Sequence, residues 1–205
     1  MPRLLRSRRV LPAFLLLALP LLALIAAAPA RAEEQPAGGD IAEKATLCQS
    51  CHGVEGIPVD PSIPVIWGQN EGYLYIELRD FARGARASQV MGEMAKSLSR
   101  EDMKALAHYF AVKPWPALGQ KPADAATAER ARVIANSAQC SQCHLDGFLG
   151  ASLVPRLAGQ SATYLLNTMK DFRSGARANN PWMSDLLKAY SEDDLAVLAA
   201  YLAGL

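Results

Sequence analysis

The chain is built on a duplication. Cys48-Gln49-Ser50-Cys51-His52 returns 92 positions later as Cys140-Ser141-Gln142-Cys143-His144, and the two copies use all four cysteines and two of the three histidines. More than the motif repeats. Gly68-Gln69 returns as Gly159-Gln160, Tyr73-Leu74 as Tyr164-Leu165, and Asp80-Phe81-x-x-Gly84-Ala85-Arg86 as Asp171-Phe172-x-x-Gly175-Ala176-Arg177. Leu98-Ser99-x-x-Asp102-Met103 matches Tyr190-Ser191-x-x-Asp194-Leu195. The offset is 92 at both ends and 91 in the middle, so one residue is lost after the cysteine motif and one regained before Met183. Two copies of a unit of about 80 residues make a domain pair rather than a solenoid.

Each unit reads as helical. Asp40 to Cys48 and Thr127 to Cys140 lead into the cysteine motifs as short helices, with Asp40 and Thr127 as N-caps. Glu71 to Ala82 and Ala162 to Phe172 form second helices, each followed by Gly84 or Gly175. Ser99 and Ser191 precede an aspartate by three residues, a capping-box variant. Beyond them Met103, Leu106 and Phe110, and then Leu195, Leu198 and Leu202, recur at helical spacing. No segment alternates apolar and polar residues long enough to argue a strand. The expected class is all-α. Between the units, Lys113-Pro114-Trp115-Pro116 and Pro122 forbid helix continuation and favour a stiff, extended connector. The expected division is therefore 1–32, 33–112, a proline-rich linker 113–126, and 127–205.

The first 32 residues read as an export signal. Arg3, Arg6, Arg8 and Arg9 precede an apolar run from Val10 to Ala28, and Ala30-Arg31-Ala32 supplies the small-x-small cleavage pattern. Cleavage is expected after Ala32. The run is nearly long enough to span a bilayer, but Pro12 and Pro20 interrupt it. The whole chain is +1; residues 33–205 hold 16 bases and 20 acids. An acidic exported chain does not suit nucleic acid, which calls for a basic surface. The acidity is uneven: residues 33–112 carry 12 acids and 7 bases, residues 128–205 carry 7 of each.

The chemistry follows from the motif. In Cys-x-x-Cys-His two thiols are spaced to form thioethers with the vinyl groups of one haem, and the adjoining histidine is placed to ligate its iron. Cys48, Cys51, Cys140 and Cys143 are thus the expected attachment residues for two covalent c-type haems, with His52 and His144 as proximal ligands. A sixth ligand is picked out by the repeat. Of Met91, Met94, Met103, Met169 and Met183, only Met91 and Met183 occupy equivalent positions; Met94, Met103 and Met169 match Leu186, Leu195 and Leu78, as core residues would. Met94 is the reserve choice in the first unit. A thioether ligand favours ferrous iron and fills the sixth position, which argues for electron transfer rather than catalysis. A shared zinc site would need the two cysteine pairs together, and a thioredoxin-like motif would need a βαβ setting. His108 matches Ala200 and reads as a surface residue.

These motifs, the Gly-Gln-x-x-x-Tyr-Leu segments, the Asp-Phe-x-x-Gly segments, the methionine before each last helix and the proline-bearing linker resemble the dihaem class I cytochromes c of the cytochrome c4 family. The resemblance covers nearly all of the chain beyond residue 32. The first unit departs from it in Ala87-Ser88-Gln89-Val90, which lacks the Asn180-Pro181 of the second. What the resemblance implies is a soluble or membrane-associated periplasmic electron carrier, not an enzyme, with two tandem class I cytochrome c domains. Its redox partners would be a terminal oxidase, a quinol-oxidising complex or a dehydrogenase. It further implies that a carbonyl near Pro64 or Pro155 accepts the N–H of the proximal histidine. Arg86 and Arg177 suit haem propionates, although a lone arginine more often faces solvent. Tyr73 and Tyr164 read as packing for the haem pocket. Two rivals share the motif: an electron-accepting subunit of a dehydrogenase complex such as a flavocytochrome, and a dihaem peroxidase with an open sixth position.

Overall fold

The computed structural model describes residues 40–205; the expected export segment, 1–32, lies outside them. The first half holds α1 (Ile41–His52), α2 (Glu71–Ala82), α3 (Gln89–Lys96) and α4 (Arg100–Ala111). The second holds α5 (Ala125–Ser137), α6 (Cys140–His144), α7 (Ala162–Ser174), α8 (Pro181–Leu187) and α9 (Glu192–Ala203). Among the described residues extended pairing is limited to two isolated bridges, Arg86 with Arg177 and Ala151 with Val154. The class is all-α, as expected.

Local chemistry sets the helix starts. Asp40 caps α1 by accepting from Ala42 N–H. The same role before α5 belongs to Asp124, not Thr127: its carboxylate accepts from both Ala126 N–H and Thr127 N–H, and Thr127 sits inside the first turn. Nor does α5 run on into the cysteine motif. Gln139 adopts a left-handed conformation (φ 53°), so Cys140 opens a separate short helix. In the first half α1 passes through its motif unbroken. Ser99 and Ser191 both form the expected capping boxes with Asp102 and Asp194. Two helices that periodicity did not reveal, α3 and α8, are started by Ser88 and Asn180, which accept from Met91 N–H and Met183 N–H.

Each half has its own core. In the first, α2 packs on α3 and α4, and α1 on α4, around Ala45, Leu74, Leu106 and Phe110. In the second, α7 and α5 pack on α9 around Ile134, Leu165, Phe172, Leu195 and Leu198. Leu106 and Leu195 are almost wholly enclosed, worth roughly 1.5–3 kcal/mol each against exposure. The connector threads between the halves. A Cβ on Gly68 (φ 66°) would come 3.0 Å from Lys113 O and Trp115 N, and one on Gly159 (φ 75°) would come 3.0 Å from Trp115 Nε1. Both glycines of the repeated Gly-Gln are therefore needed where the connector passes, and both hold a backbone angle that side chains resist. Gln120 fixes the connector's far end, donating to Gln160 O and Ala203 O and accepting from Ala162 N–H.

Candidate haem-attachment sites

In each half the thiols and the imidazole come from one stretch of helix. Cys48, Cys51 and His52 share the end of α1; Cys140, Cys143 and His144 make up α6. A spacing of three puts the two sulfurs on one helical face, a turn apart. All four thiols are free, and burial pushes Cys48 and Cys140 above the ordinary thiol range. Both histidines are buried. His52 Nδ1 lies 2.8 Å from Pro64 O, and His144 Nδ1 lies 3.0 Å from Pro155 O. A carbonyl oxygen only accepts, so Nδ1 carries the proton and the Nε2 lone pair is left for a metal. Burial draws both imidazoles below their ordinary pKa, against the smaller opposing effect of the carbonyl bond, and so holds them neutral. This donor set fits a c-type haem: two thiols for the vinyl groups and one oriented, neutral imidazole for iron. Trp67 Nε1–H, on the loop after Pro64, is buried without a protein acceptor and would suit a haem carboxylate.

Met91 and Met183 are both half-buried and both third in their helices, their N–H groups held by the capping side chain. Met103 and Met169 are buried in core positions, and Met94 is exposed. His108 is on the surface, paired with Glu71 at 2.9 Å. Among the described residues no three of His, Cys, Asp and Glu gather in one place.

The arginines and tyrosines depart from expectation. Arg177 is buried, and Arg86 nearly so. They come from opposite halves and grip one carboxylate, Arg86 Nη1 donating to Glu77 Oε2 at 2.7 Å and Arg177 Nη2 to Glu77 Oε1 at 2.6 Å. Tyr73 and Tyr164 point their hydroxyls into this seam, each accepting from the arginine of the other half. Burial pushes Tyr73 well above the usual phenol range. Asn179 completes the cluster by donating to Glu77 and to Asp80. Sequence reading missed Glu77 because it has no counterpart in the second unit; Thr168 stands there. It also missed what Gln69 and Gln160 do. Gln69 donates to Arg156 O and accepts from Arg156 N–H; Gln160 donates to Val65 O and accepts from Val65 N–H. The signal was on view as the repeated Gly-Gln.

With this geometry in place, the likeness to known proteins is specific. No family model matches the chain. Cytochrome c4 of Pseudomonas aeruginosa is 31% identical over 181 residues, 82% of this chain and 90% of that protein. The chain belongs to the cytochrome c4 family. A solved cytochrome c4 from Pseudomonas stutzeri superposes with a TM-score of 0.72 at 29% identity, covering 82% of this chain and all of that one. A protein of Stutzerimonas stutzeri named as a thiosulfate dehydrogenase electron acceptor is 34% identical over 170 residues, 78% of this chain and 79% of its own length. As a cytochrome c4 this protein is a dihaem electron carrier and not an enzyme. Two covalently bound c-type haems are its cofactors, and its partners are redox proteins. No helix among the described residues is long and apolar enough to cross a membrane.

Proposed function

We propose that the chain carries single electrons in the periplasm of a respiratory bacterium, through one haem in each half of the molecule. Residues 33–112 and 127–205 are the two haem domains, joined by 113–126, with residues 1–32 removed after Ala32. The haem irons supply the one-electron couple. Cys48 and Cys51 would anchor the first haem, with His52 and Met91 to hold its iron; Cys140 and Cys143 would anchor the second, with His144 and Met183. The observation that carries this is the pair of matching imidazoles, each fixed by a proline carbonyl beside two free thiols of its own helix. Fixing Nδ1–H orients the ring and raises its basicity as a ligand. Methionine in the sixth position closes the iron to small ligands and raises its potential.

The test is an optical redox titration of the purified protein. Two haems per chain and a methionine-to-iron band in the ferric state support the reading. Met91→Ala and Met183→Ala should each remove about half of that band. Rapid carbon monoxide binding by the reduced wild-type protein at neutral pH would instead favour a displaceable sixth ligand and a peroxidase. A second reading has a specific support: the likeness to electron acceptors of thiosulfate dehydrogenase. On that reading a dehydrogenase is the donor and a terminal oxidase or quinol-linked complex lies elsewhere in the chain of carriers. Stopped-flow reduction by a purified dehydrogenase of that class decides it.

A further inference from the structure

We propose that each proximal histidine is tuned by a glutamine from the opposite half of the molecule. The inference rests on the reading of His52 and His144 as haem ligands. Its basis is a single peptide group in each half. The carbonyl of Pro64 accepts from His52 Nδ1–H, and the N–H of that same peptide, on Val65, donates to Gln160 Oε1 at 2.9 Å. In the other half the carbonyl of Pro155 accepts from His144 Nδ1–H, and the N–H of that peptide, on Arg156, donates to Gln69 Oε1 at 2.8 Å.

Each glutamine also closes the ring of bonds with its amide, Gln160 Nε2 donating to Val65 O and Gln69 Nε2 to Arg156 O, both at 3.0 Å. The amide orientation is settled by these partners, since a backbone N–H cannot face an NH2 group. Gln69, Gln160 and Val65 are all 3% exposed or less. Further bonds hold the glutamines themselves: Gln69 Oε1 also accepts from Asn70 N–H, and Gln160 Oε1 from Ser161 N–H.

The consequence is electronic as well as mechanical. A peptide whose N–H is bonded becomes a stronger acceptor at its carbonyl, because hydrogen bonds in a chain polarise one another. A stronger acceptor draws the imidazole proton further and makes the ring a more electron-rich ligand, which favours ferric iron. Gln160 therefore lowers the reduction potential of the first half and Gln69 that of the second. Glutamines that only glued the seam would have no such crossed selectivity.

The experiment uses the full haem-loaded chain. Gln160→Leu and Gln69→Leu are titrated optically, and each potential is assigned to its half from the paramagnetically shifted proton signals of the ferric haems. Gln160→Leu should raise the first-half potential, changing its reduced-to-oxidised ratio about threefold, or about 28 mV at 59 mV per tenfold, and leave the second half unchanged. Gln69→Leu should do the reverse. Gln160→Glu keeps an acceptor for Val65 N–H and should return the first-half potential to the wild-type value or below. A shift confined to the glutamine's own half, an equal shift in both, or no shift in variants that load both haems overturns the proposal. If the leucine variants do not load haem, Gln160→Asn and Gln69→Asn shorten the amide while keeping its polarity, and the same crossed pattern is required of them. Wild-type protein lacking two haems or the methionine band would defeat the underlying reading before any variant is made.

Discussion

On the face of α2 that meets the other half, the first copy of the repeat carries Glu77; the same place on α7 carries Thr168. Across from them, the second copy carries one residue more, Asn179, and that residue bonds to Glu77 and to Arg177. The seam's other arginines, tyrosines and glutamines come in pairs: Arg86 with Arg177, Tyr73 with Tyr164, Gln69 with Gln160. The difference teaches how a duplication becomes a single molecule. The paired residues are what two copies of one unit would bring to any meeting. Two buried guanidiniums from such a meeting would repel, and the one carboxylate between them turns that repulsion into attachment.

The comparison is open to attack at several points, and the heaviest blow is to that carboxylate. Glu77→Ala should destabilise the haem-loaded protein by about 3–5 kcal/mol, because it leaves two buried arginines without the carboxylate that both are bonded to. Thr168→Ala should cost under about 1 kcal/mol. Denaturant unfolding of both variants checks the contrast, and similar losses would mean the seam does not depend on its one asymmetric charge.

Next come the cores. Leu106→Ala and Leu198→Ala occupy equivalent, enclosed places and should each cost about 2–5 kcal/mol. With the halves braced by buried bonds, each substitution should lower one shared thermal transition. Calorimetry showing two separate transitions, only one of them displaced, would break the picture of a single cooperative unit.

Smaller and symmetric effects should follow at the capping boxes. Ser99→Ala and Ser191→Ala remove the same cap from the same helix of each unit, so each should cost about 1 kcal/mol. A large inequality between them in denaturant midpoints would locate an asymmetry away from the seam.

The smallest effect is on acidity. Hydrogen bonding and charge from Lys44, then bonds from Ser99, hold the Asp102 carboxyl below the usual carboxylate range. Ser191 and Arg130 do the same for Asp194. The folded chain then releases these protons more readily than the unfolded one. Their stabilisation is complete above about pH 5 and is lost as the pH falls through the ordinary carboxylate range to the lowered values. Asp102→Asn and Asp194→Asn should each flatten the acid limb of a plot of unfolding midpoint against pH, and an unaltered limb would remove this contribution.

The sequence was legible wherever the unit explains itself. Helices α2, α4, α7 and α9, both capping boxes, the motif residues and the place of the connector all follow from short-range patterns that a repeat states twice. The bonds from His52 to Pro64 and from His144 to Pro155 came from a family resemblance, and the geometry bears them out. What stayed hidden depends on the other copy. Arg86 and Arg177 looked like surface residues because their acceptor lies across a seam that no local pattern describes. Gln69 and Gln160 were plain as a match but silent as a contact, since an alignment shows that positions correspond and not that each reaches over to the other's loop. Glu77 dropped out because an alignment keeps what agrees. Asp124 was passed over as a cap in favour of Thr127, since both are good caps and only the helix register chooses.

Glu77 and Asn179 also make the seam unlike one that either unit would form with its own copy. Were the chain cut at its connector, two copies of residues 127–205 meeting through this face would set Arg177 against Arg177 with Thr168 in the place of Glu77. Two copies of the first unit would bring an acid for every arginine, but not the added amide. Only one of each gives the full set of bonds. A one-residue insertion and one acidic side chain thus give two sibling modules a set of bonds that neither could make with its own copy.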